Sequence, residues 1–245
     1  MNQTLLRAED LVNNPMRRVP VCLCLDTSTS MNSVAGEFSA GGASDPDDQS
    51  TGIEKLNAGI ELLFDAIKED EIARYAAEIS IVTFSDDAEC ISDFSSIDRQ
   101  EVPELVADGN TCMGEGINLA LDLLEKRKQE YRENGVDYYQ PWLVLMTDGE
   151  ANGDAEEYQK AVARVKKAVG EKKLTVFAIG IGDYADMNAL SELSPNRPPL
   201  KLKGLKFSEF FTWLSQSVSI TSQSDPSETM HFDDSDMEEW CELPS

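Results

Sequence analysis

The sequence predicts an α/β fold: a doubly wound, mostly parallel sheet of six strands with one antiparallel edge strand and helices on both faces. Apolar, strand-like segments alternate with segments of helical period, which is the pattern of βαβ units. Segment 142–146 is apolar without interruption, as strands buried on both faces are. Segments 78–84 and 88–94 have a hairpin spacing, which places an antiparallel strand at an edge.

The elements follow in order along the chain. Strand 19–25 comes first, and helix 53–68 follows with its apolar residues on one face, broad enough to cover a sheet. After the hairpin, helix 114–132 leads to strand 142–146, which is bounded by Pro141 and by Asp148-Gly149. The remaining predicted elements are a helix at 155–169, a strand at 174–179, a short helix at 187–193, an edge strand around Leu200 and a helix at 208–220.

The chain divides into an N-terminal extension at 1–16, one domain at 17–222 and an acidic C-terminal tail at 223–245. Within the domain, residues 33–52 are rich in Gly, Ser, Ala and Asp and have no hydrophobic period, so they form an inserted loop. From residue 225 onward the tail holds eight acidic residues and no Lys or Arg. With few apolar anchors, it is expected to be largely disordered on its own. Those anchors are Met230, Phe232, Met237 and Trp240.

Composition excludes several classes of function. The 245 residues include 46 acidic and 21 basic ones, a net charge of −25, which disfavours binding to nucleic acid phosphates. No apolar run approaches the roughly 18 residues of a membrane span and no secretory signal is visible, so we expect a soluble, cytoplasmic protein without membrane contact. One His and five Cys residues do not favour a disulfide framework, a four-ligand zinc site or a Ser-His-Asp triad.

Short oxygen-bearing side chains cluster where two central strands end. Strand 19–25 runs into Asp26-Thr27-Ser28-Thr29-Ser30, and strand 142–146 runs into Thr147-Asp148-Gly149. A further hydroxyl, that of Thr111, lies in the loop before helix 114–132. Ligands bind at the carboxyl ends of strands in open α/β sheets. Carboxylates and hydroxyls are hard donors, so this set suits Mg²⁺, with Mn²⁺ or Ca²⁺ as alternatives, and would not select a soft metal.

The pattern Asp26-x-Ser28-x-Ser30, then Thr111 before a helix, then Asp148 after a strand resembles the metal-ion-dependent adhesion site of the von Willebrand factor A domain family. Taken singly, such residues are ordinary turn and N-cap residues, so their order and strand contexts carry the resemblance, which spans about residues 17–222. The resemblance implies the strand order 3-2-1-4-5-6 and binding without catalysis. It also implies a divalent cation held by Asp26, Ser28, Ser30, Thr111 and Asp148.

Three segments, 17–21, 140–150 and 210–215, are similar to the TerY-like bacterial branch of this family, which is associated with tellurite resistance and chemical stress. The branch implies partners in a phosphorylation-linked stress system, such as a serine/threonine kinase and a metal-dependent protein phosphatase. The chain departs from the branch at Thr29, where the branch usually has Gly, and in its inserted loop and acidic tail.

The favoured function is therefore a cytoplasmic adaptor, and not an enzyme, whose metal accepts an Asp or Glu carboxylate from a protein partner. A metal-dependent phosphohydrolase that uses the same edge of the sheet is the alternative, and a structural domain with an empty metal site is a third reading. A phosphatase of the haloacid-dehalogenase type could use Asp26 as its nucleophile. It would need a second Asp two residues later, where this chain has Ser28.

Overall fold

The computed structural model describes residues 14–38, 48–149, 153–224 and 237–242. Within these residues, one sheet contains seven strands in the spatial order β3-β2-β1-β4-β5-β6-β7. The strands are β1 Val19–Asp26, β2 Ala77–Phe84, β3 Ala88–Ser96, β4 Trp142–Thr147, β5 Thr175–Ile181, β6 Leu200–Leu202 and β7 Cys241–Glu242. The helices are α1 Gly52–Glu69, α2 Ala73–Ala76, α3 Met113–Asn134, α4 Ala155–Gly170, α5 Met187–Leu193, α6 Phe207–Gln223 and α7 Met237–Trp240.

The sheet is parallel in its centre and antiparallel at its edges. β1 pairs in parallel with β2 and β4, and β4, β5 and β6 continue in parallel. β3 and β7 pair antiparallel with β2 and β6. The predicted fold class is confirmed, but the described part of the chain has seven strands instead of six and an antiparallel strand at each edge. The additional strand, β7, lies in the tail and is too short to leave a sequence pattern.

Two hydrophobic cores sandwich the sheet, because successive side chains of a strand point to opposite faces. Leu23 and Leu25 of β1 join the core beneath α1 and α6. Cys22 and Cys24 join the core beneath α3 and α4. All four side chains are fully buried. This double burial explains the continuous apolar run of β1, and it agrees with the two cysteines acting as small buried side chains.

Capping residues set several helix ends. At the start of α1, the Thr51 hydroxyl accepts from the N–H of Glu54, whose carboxylate accepts from the N–H of Thr51. Asp154 caps α4 by accepting from the N–H of Glu156, and Gly135, with a left-handed φ of 67°, ends α3. Among the described helices, none combines the length and hydropathy needed to span a membrane.

The predicted inserted loop is tied down at both of its described ends. A 3-10 turn at Ala35–Phe38 buries the side chains of Ala35 and Phe38, and Val34 forms an antiparallel bridge with Thr51. These contacts place the start of the loop against the core, although its sequence shows no hydrophobic period. Residues 39–47 lie outside the described residues.

The end of the acidic tail packs beside β6, where Met237 and Trp240 are buried. The Trp240 ring contacts the rings of Phe210 and Trp213, at centroid distances of 5.8 and 5.9 Å. The expectation of a largely disordered tail is wrong for residues 237–242, because Met237 and Trp240 are buried in the core and Trp240 packs against aromatic rings of α6. Residues 225–236 and 243–245 lie outside the described residues.

A buried ion-pair network lies at the end of the sheet where the parallel strands β1 and β2 begin. Glu78 accepts from the Nε of Arg18 at 3.1 Å and from the Nε of Arg127 at 2.7 Å. The hydroxyl of Tyr131 also donates to Glu78. Burial, and then the Glu78 charge, raises the pKa of Tyr131, so this hydroxyl stays protonated as a donor. The network therefore surrounds one buried carboxylate with two cations and a hydroxyl.

Candidate metal centre

Asp26 ends β1 and is the first of the predicted metal ligands. Its side chain is fully buried because β1 lies in the middle of the sheet. The N–H of Ser28 donates to one carboxylate oxygen, Oδ1, at 2.9 Å. The Thr147 hydroxyl donates to the other, Oδ2, at 2.6 Å. Both oxygens of this carboxylate are therefore held in place by the protein itself.

A line of hydroxyls joins the turn after β1 to Asp148. Ser28 has an extended backbone, and the segment Thr29–Asn32 continues as a 3-10 helix. The Oγ atoms of Ser28 and Ser30 lie 3.0 Å apart, and Ser30 Oγ donates to Asp148 Oδ1 at 2.9 Å. With the Ser28 N–H on Asp26, one hydrogen-bonded group contains four of the five predicted ligands.

Thr111, the fifth predicted ligand, is buried in a loop at residues 105–112, which we call the rim loop. The N–H of Asp108 donates to the carbonyl of Thr27 at 2.9 Å, which fixes the loop against the turn after β1. The N–H of Cys112 donates to a carbonyl of the β2–β3 turn, also at 2.9 Å. These backbone bonds bring Thr111 to the edge of the sheet that carries the other four residues.

Thr29 holds the rim loop with two further hydrogen bonds. Its N–H and its Oγ1 both donate to the carbonyl of Gly109, each at 3.0 Å. Gly109 has a φ of 79°, which favours glycine, and a Cβ added there would lie 2.8 Å from Cγ of Asp86. The residue at which the chain departs from the TerY-like pattern thus contacts the segment that carries Thr111.

Asp26 and Asp148 place two acidic groups in one buried site. Burial raises the pKa of Asp26. Burial, and then the negative charge of Asp26, raises the pKa of Asp148 to about 6. Hydroxyl and backbone donors favour the charged forms, but within the described residues no cationic side chain contributes to either shift. A bound cation would favour both carboxylates in their charged form and relieve their repulsion.

The donor set fits a hard divalent cation. Within the described ranges there is no group of three or more His, Cys, Asp or Glu side chains that could hold a metal. The site offers two carboxylates and several neutral hydroxyls, all of them oxygen donors. Such donors suit Mg²⁺, Mn²⁺ and Ca²⁺ better than Zn²⁺, whose usual ligands include His and Cys.

Thr147 is a site residue that the sequence analysis did not assign. β4 pairs with β1 in parallel, with Met146 beside Leu25. Asp26 on β1 and Thr147 on β4 are the next residues and therefore lie side by side. This register brings the Thr147 hydroxyl to the buried carboxylate. An Asp and a Thr that end adjacent strands in register are the signal that could have identified it.

A comparison with sequence families gives the chain its family. The model of the von Willebrand factor type A domain matches residues 21–202, which is most of the chain. The chain belongs to the von Willebrand factor type A domain family. The matched part of this vWA domain runs from β1 to the end of β6 and contains all five predicted ligands. A comparison with curated proteins returns no match.

Solved structures share the fold of this vWA domain at low sequence identity. A von Willebrand factor type A protein from Catenulispora acidiphila has a TM-score of 0.55 and 16% identity, over 83% of this chain and 43% of that one. BatB, a conserved hypothetical protein from Bacteroides thetaiotaomicron, has a TM-score of 0.54 and 20% identity, over 84% of this chain and 100% of that one. Proximal thread matrix protein 1 from the mussel byssus, with a zinc-occupied MIDAS motif, has a TM-score of 0.53 and 18% identity, over 85% of this chain and 47% of that one.

The solved structures show the fold, and the family rests on the match of the domain model. The chain spans less than half the length of the Catenulispora and mussel proteins. None of the comparisons supports the TerY-like branch, so that assignment stays a prediction from three short segments of the sequence.

Proposed function

We propose that this vWA domain is a metal-dependent protein-binding module. The observation that carries the proposal is a pair of buried carboxylates, surrounded by hydroxyls and, within the described residues, without a cationic side chain. The pair lies at the edge of the sheet where open α/β folds bind ligands. The cation would be held directly or through water by Asp26, Ser28, Ser30, Thr111 and Asp148.

The charges of the donors explain why such a site would bind a partner. Serine and threonine hydroxyls bring no charge, and the two carboxylates together only balance a divalent cation. A cation held in this way stays electrophilic, and one coordination position would accept an Asp or Glu carboxylate from a partner protein. Mg²⁺ is the proposed cation on the chemistry of the donors. The zinc-occupied motif of the mussel protein supports a divalent cation and is the reason to test Zn²⁺ as well.

The proposed setting is a cytoplasmic stress system linked to phosphorylation. Its partners would be a serine/threonine kinase and a metal-dependent protein phosphatase. The support for this setting is the resemblance of segments 17–21, 140–150 and 210–215 to the branch associated with tellurite resistance.

The alternative function is a metal-dependent phosphohydrolase at the same site. One observation favours it: the pKa of Asp148, raised to about 6, suits a group that exchanges protons near neutral pH. A bound cation would favour the carboxylate form and lower that pKa, so Asp148 could not act as an acid while it holds the metal. Binding therefore agrees better than hydrolysis with the proposed role of Asp148.

Calorimetric titration of the metal-free protein with Mg²⁺, Mn²⁺, Ca²⁺ and Zn²⁺ tests the site. We expect one strongly bound cation per chain, and no binding to Asp26→Ala. Asp137→Ala is the matched control, because the Asp137 carboxylate is 83% exposed. Unchanged binding to Asp26→Ala would refute the proposed site.

Affinity capture from a native extract, with Mg²⁺ or with a chelator, tests the function. Wild-type protein should retain partners only with Mg²⁺, and Asp148→Ala should retain none of them. A kinase or a phosphatase among these partners would support the proposed setting. Hydrolysis of a generic phosphoester that needs both Mg²⁺ and Asp26 would instead establish the phosphohydrolase.

A further inference from the structure

Two apolar side chains project into solvent at the end of the sheet where the parallel strands finish. The candidate metal centre lies at the same end. Among the described residues, Val106 (77% exposed) and Tyr184 (70% exposed) are the most exposed large hydrophobic side chains. Val106 belongs to the rim loop, and Tyr184 to the loop after β5. Tyr75 is 45% exposed and lies just before the start of β2, at the opposite edge. We call Val106 and Tyr184 the apolar rim pair.

The backbone on both sides of Val106 is held by side chains from other segments. Asn57 of α1 accepts from the N–H of Leu105 and donates to its carbonyl, each at 2.9 Å. Asn32 donates to the carbonyl of Ala107 at 3.0 Å. Leu105 and Ala107 are buried, whereas Val106 between them points outward. The fold thus fixes this exposed valine in one position.

The backbone around Tyr184 is held in a similar way. The N–H of Asp183 donates to the carbonyl of Phe38 at 2.9 Å, and the Asp183 carboxylate lies 2.6 Å from Nζ of Lys201. On the other side, Asp186 caps α5 by accepting from the N–H of Asn188 at 2.9 Å. Tyr184 therefore projects from a short segment that is fixed at both ends.

Fixed, exposed apolar groups suit binding to a partner. An apolar side chain gains free energy when a partner removes it from water. A held backbone loses little conformational freedom on binding, so more of this gain reaches the affinity. Tyrosine is also among the residue types that most often dominate the energy of protein interfaces.

The charges at the same edge restrict which partner fits. Asp108 is exposed in the rim loop, and Asp86 and Asp87 are exposed in the β2–β3 turn. These carboxylates would repel a partner segment that carries a run of acidic residues, whereas a single carboxylate directed to the metal would avoid most of that repulsion.

We propose that the apolar rim pair selects a partner segment in which one Asp or Glu is flanked on both sides by apolar residues. This inference rests on the proposed metal-dependent binding function. The central carboxylate would reach the metal, and the apolar side chains before and after it would contact Val106 and Tyr184.

Selection from a displayed peptide library tests this preference. The library has a central Asp and randomised flanking positions, and it is selected on immobilised protein with Mg²⁺ and, in parallel, with a chelator. We expect Mg²⁺-dependent enrichment of apolar residues on both sides of the Asp and depletion of acidic ones. Flanks that stay random, or that become acidic, would overturn the inference.

Substitutions of Val106 and Tyr184 test whether the apolar rim pair causes the preference for apolar residues beside the Asp. Val106→Ser and Tyr184→Ser should each weaken binding of the enriched peptide by roughly five- to tenfold, the loss typical of an interface residue that contributes substantially. Tyr75→Ser is the matched control and should bind as the wild type does. All three variants should keep the rise in melting temperature that Mg²⁺ produces, because none of them changes a predicted ligand. Unchanged affinity in both rim variants would overturn the inference.

The selection separates failure of this inference from failure of the proposed function. Mg²⁺-dependent enrichment of Asp peptides without apolar flanks would overturn the role of the rim pair and leave metal-dependent binding intact. Absence of any Mg²⁺-dependent enrichment, with a metal bound in calorimetry, would overturn both.

Discussion

Buried carboxylates have opposite surroundings at the two ends of the central strands. Where β1 and β2 begin, Glu78 is paired with the guanidinium groups of Arg18 and Arg127. Where β1 and β4 end, Asp26 and Asp148 share a site to which, within the described residues, only hydroxyls and backbone groups donate. The first arrangement has its positive charges within the chain, whereas among the described residues the second has none.

This difference separates a structural site from the proposed binding site. A buried charge whose partners lie in the same chain is costly to disrupt, because removal of one group takes a partner from another buried charge and lowers the free energy of unfolding. Two buried acids without a counter-charge destabilise the chain that carries them and favour a cation from solution. The same chemical group is therefore paired within the chain at one end of the strands, and at the other end it would bind a cation, as proposed.

The largest expected effect follows from breaking the complete network. In Glu78→Ala, buried Arg18 would lose the Glu78 carboxylate and buried Arg127 would keep only that of Glu130, so the free energy of unfolding should fall by about 3–5 kcal/mol. Urea denaturation measures this change. Glu171→Ala is the control, because its ion pair with Lys173 lies at the surface, where solvent screens it, and its loss should change the free energy of unfolding far less. Equal losses in the two variants would contradict the comparison.

Saturation of the incomplete site should have the next largest effect. Mg²⁺ at a hundredfold excess over its dissociation constant should raise the free energy of unfolding by about 2.7 kcal/mol, because it binds only the folded state. Asp26→Ala should abolish this increment, as thermal unfolding with and without Mg²⁺ would show. Glu78→Gln, although less stable, should keep it, since the other edge does not hold the metal. A metal response that survives in Asp26→Ala would place the cation elsewhere.

Removal of one acid should relieve the repulsion without any metal. The folded-state pKa of Asp148 is raised to about 6 from 3.8, so its charge at pH 7 opposes folding. Asp148→Asn keeps an oxygen that can accept from Ser30 and removes the charge. The metal-free variant should be more stable than the wild type by about 1–3 kcal/mol at pH 7 and should not respond to Mg²⁺. A variant less stable than the metal-free wild type in urea denaturation would refute this account.

Much of the fold could be predicted from the sequence because its signals are local. The buried run of β4 and the hairpin before Ser96 follow from residues that are neighbours in the chain. β7 could not be predicted, because a two-residue strand exists only through its pairing with β6 and the burial of Trp240 against α6. The network around Glu78 also escaped prediction, since it joins residues separated by 49 and 60 positions.

The candidate ligands were predicted from their order and strand contexts, and their supports were not. Four of them form one hydrogen-bonded group, which agrees with the sequence pattern. Asn57 and Asn32 act through contacts with distant segments, which neither period nor spacing indicates, and Thr147 becomes recognisable only from the register of β1 and β4. Polar residues of this kind are visible in the sequence, but their partners are known only once the strands are in register.

The smallest expected effect concerns Thr29, which links the two parts of the candidate site. Thr29→Val keeps the shape of the side chain and removes the hydrogen bond from Oγ1 to the carbonyl of Gly109. Because this hydroxyl is exposed, water would replace part of the lost interaction, and Mg²⁺ should bind only about two- to fivefold more weakly in calorimetry. Thr29→Ser keeps the hydroxyl and should bind as the wild type does.

Thr29→Gly decides between two roles for this position. If the threonine supports the rim loop, the glycine variant should lose affinity for Mg²⁺ at least as much as Thr29→Val, because it loses the same hydrogen bond and gains backbone freedom. If the Cβ instead crowds the turn, glycine should tighten metal binding while valine weakens it or leaves it unchanged. We expect the first outcome, since the N–H and the Oγ1 of Thr29 converge on one carbonyl two residues before Thr111. Tighter Mg²⁺ binding by Thr29→Gly would show that the threonine loosens the metal centre, and that the rim loop is held well enough by Thr27, Ser85 and Asp86.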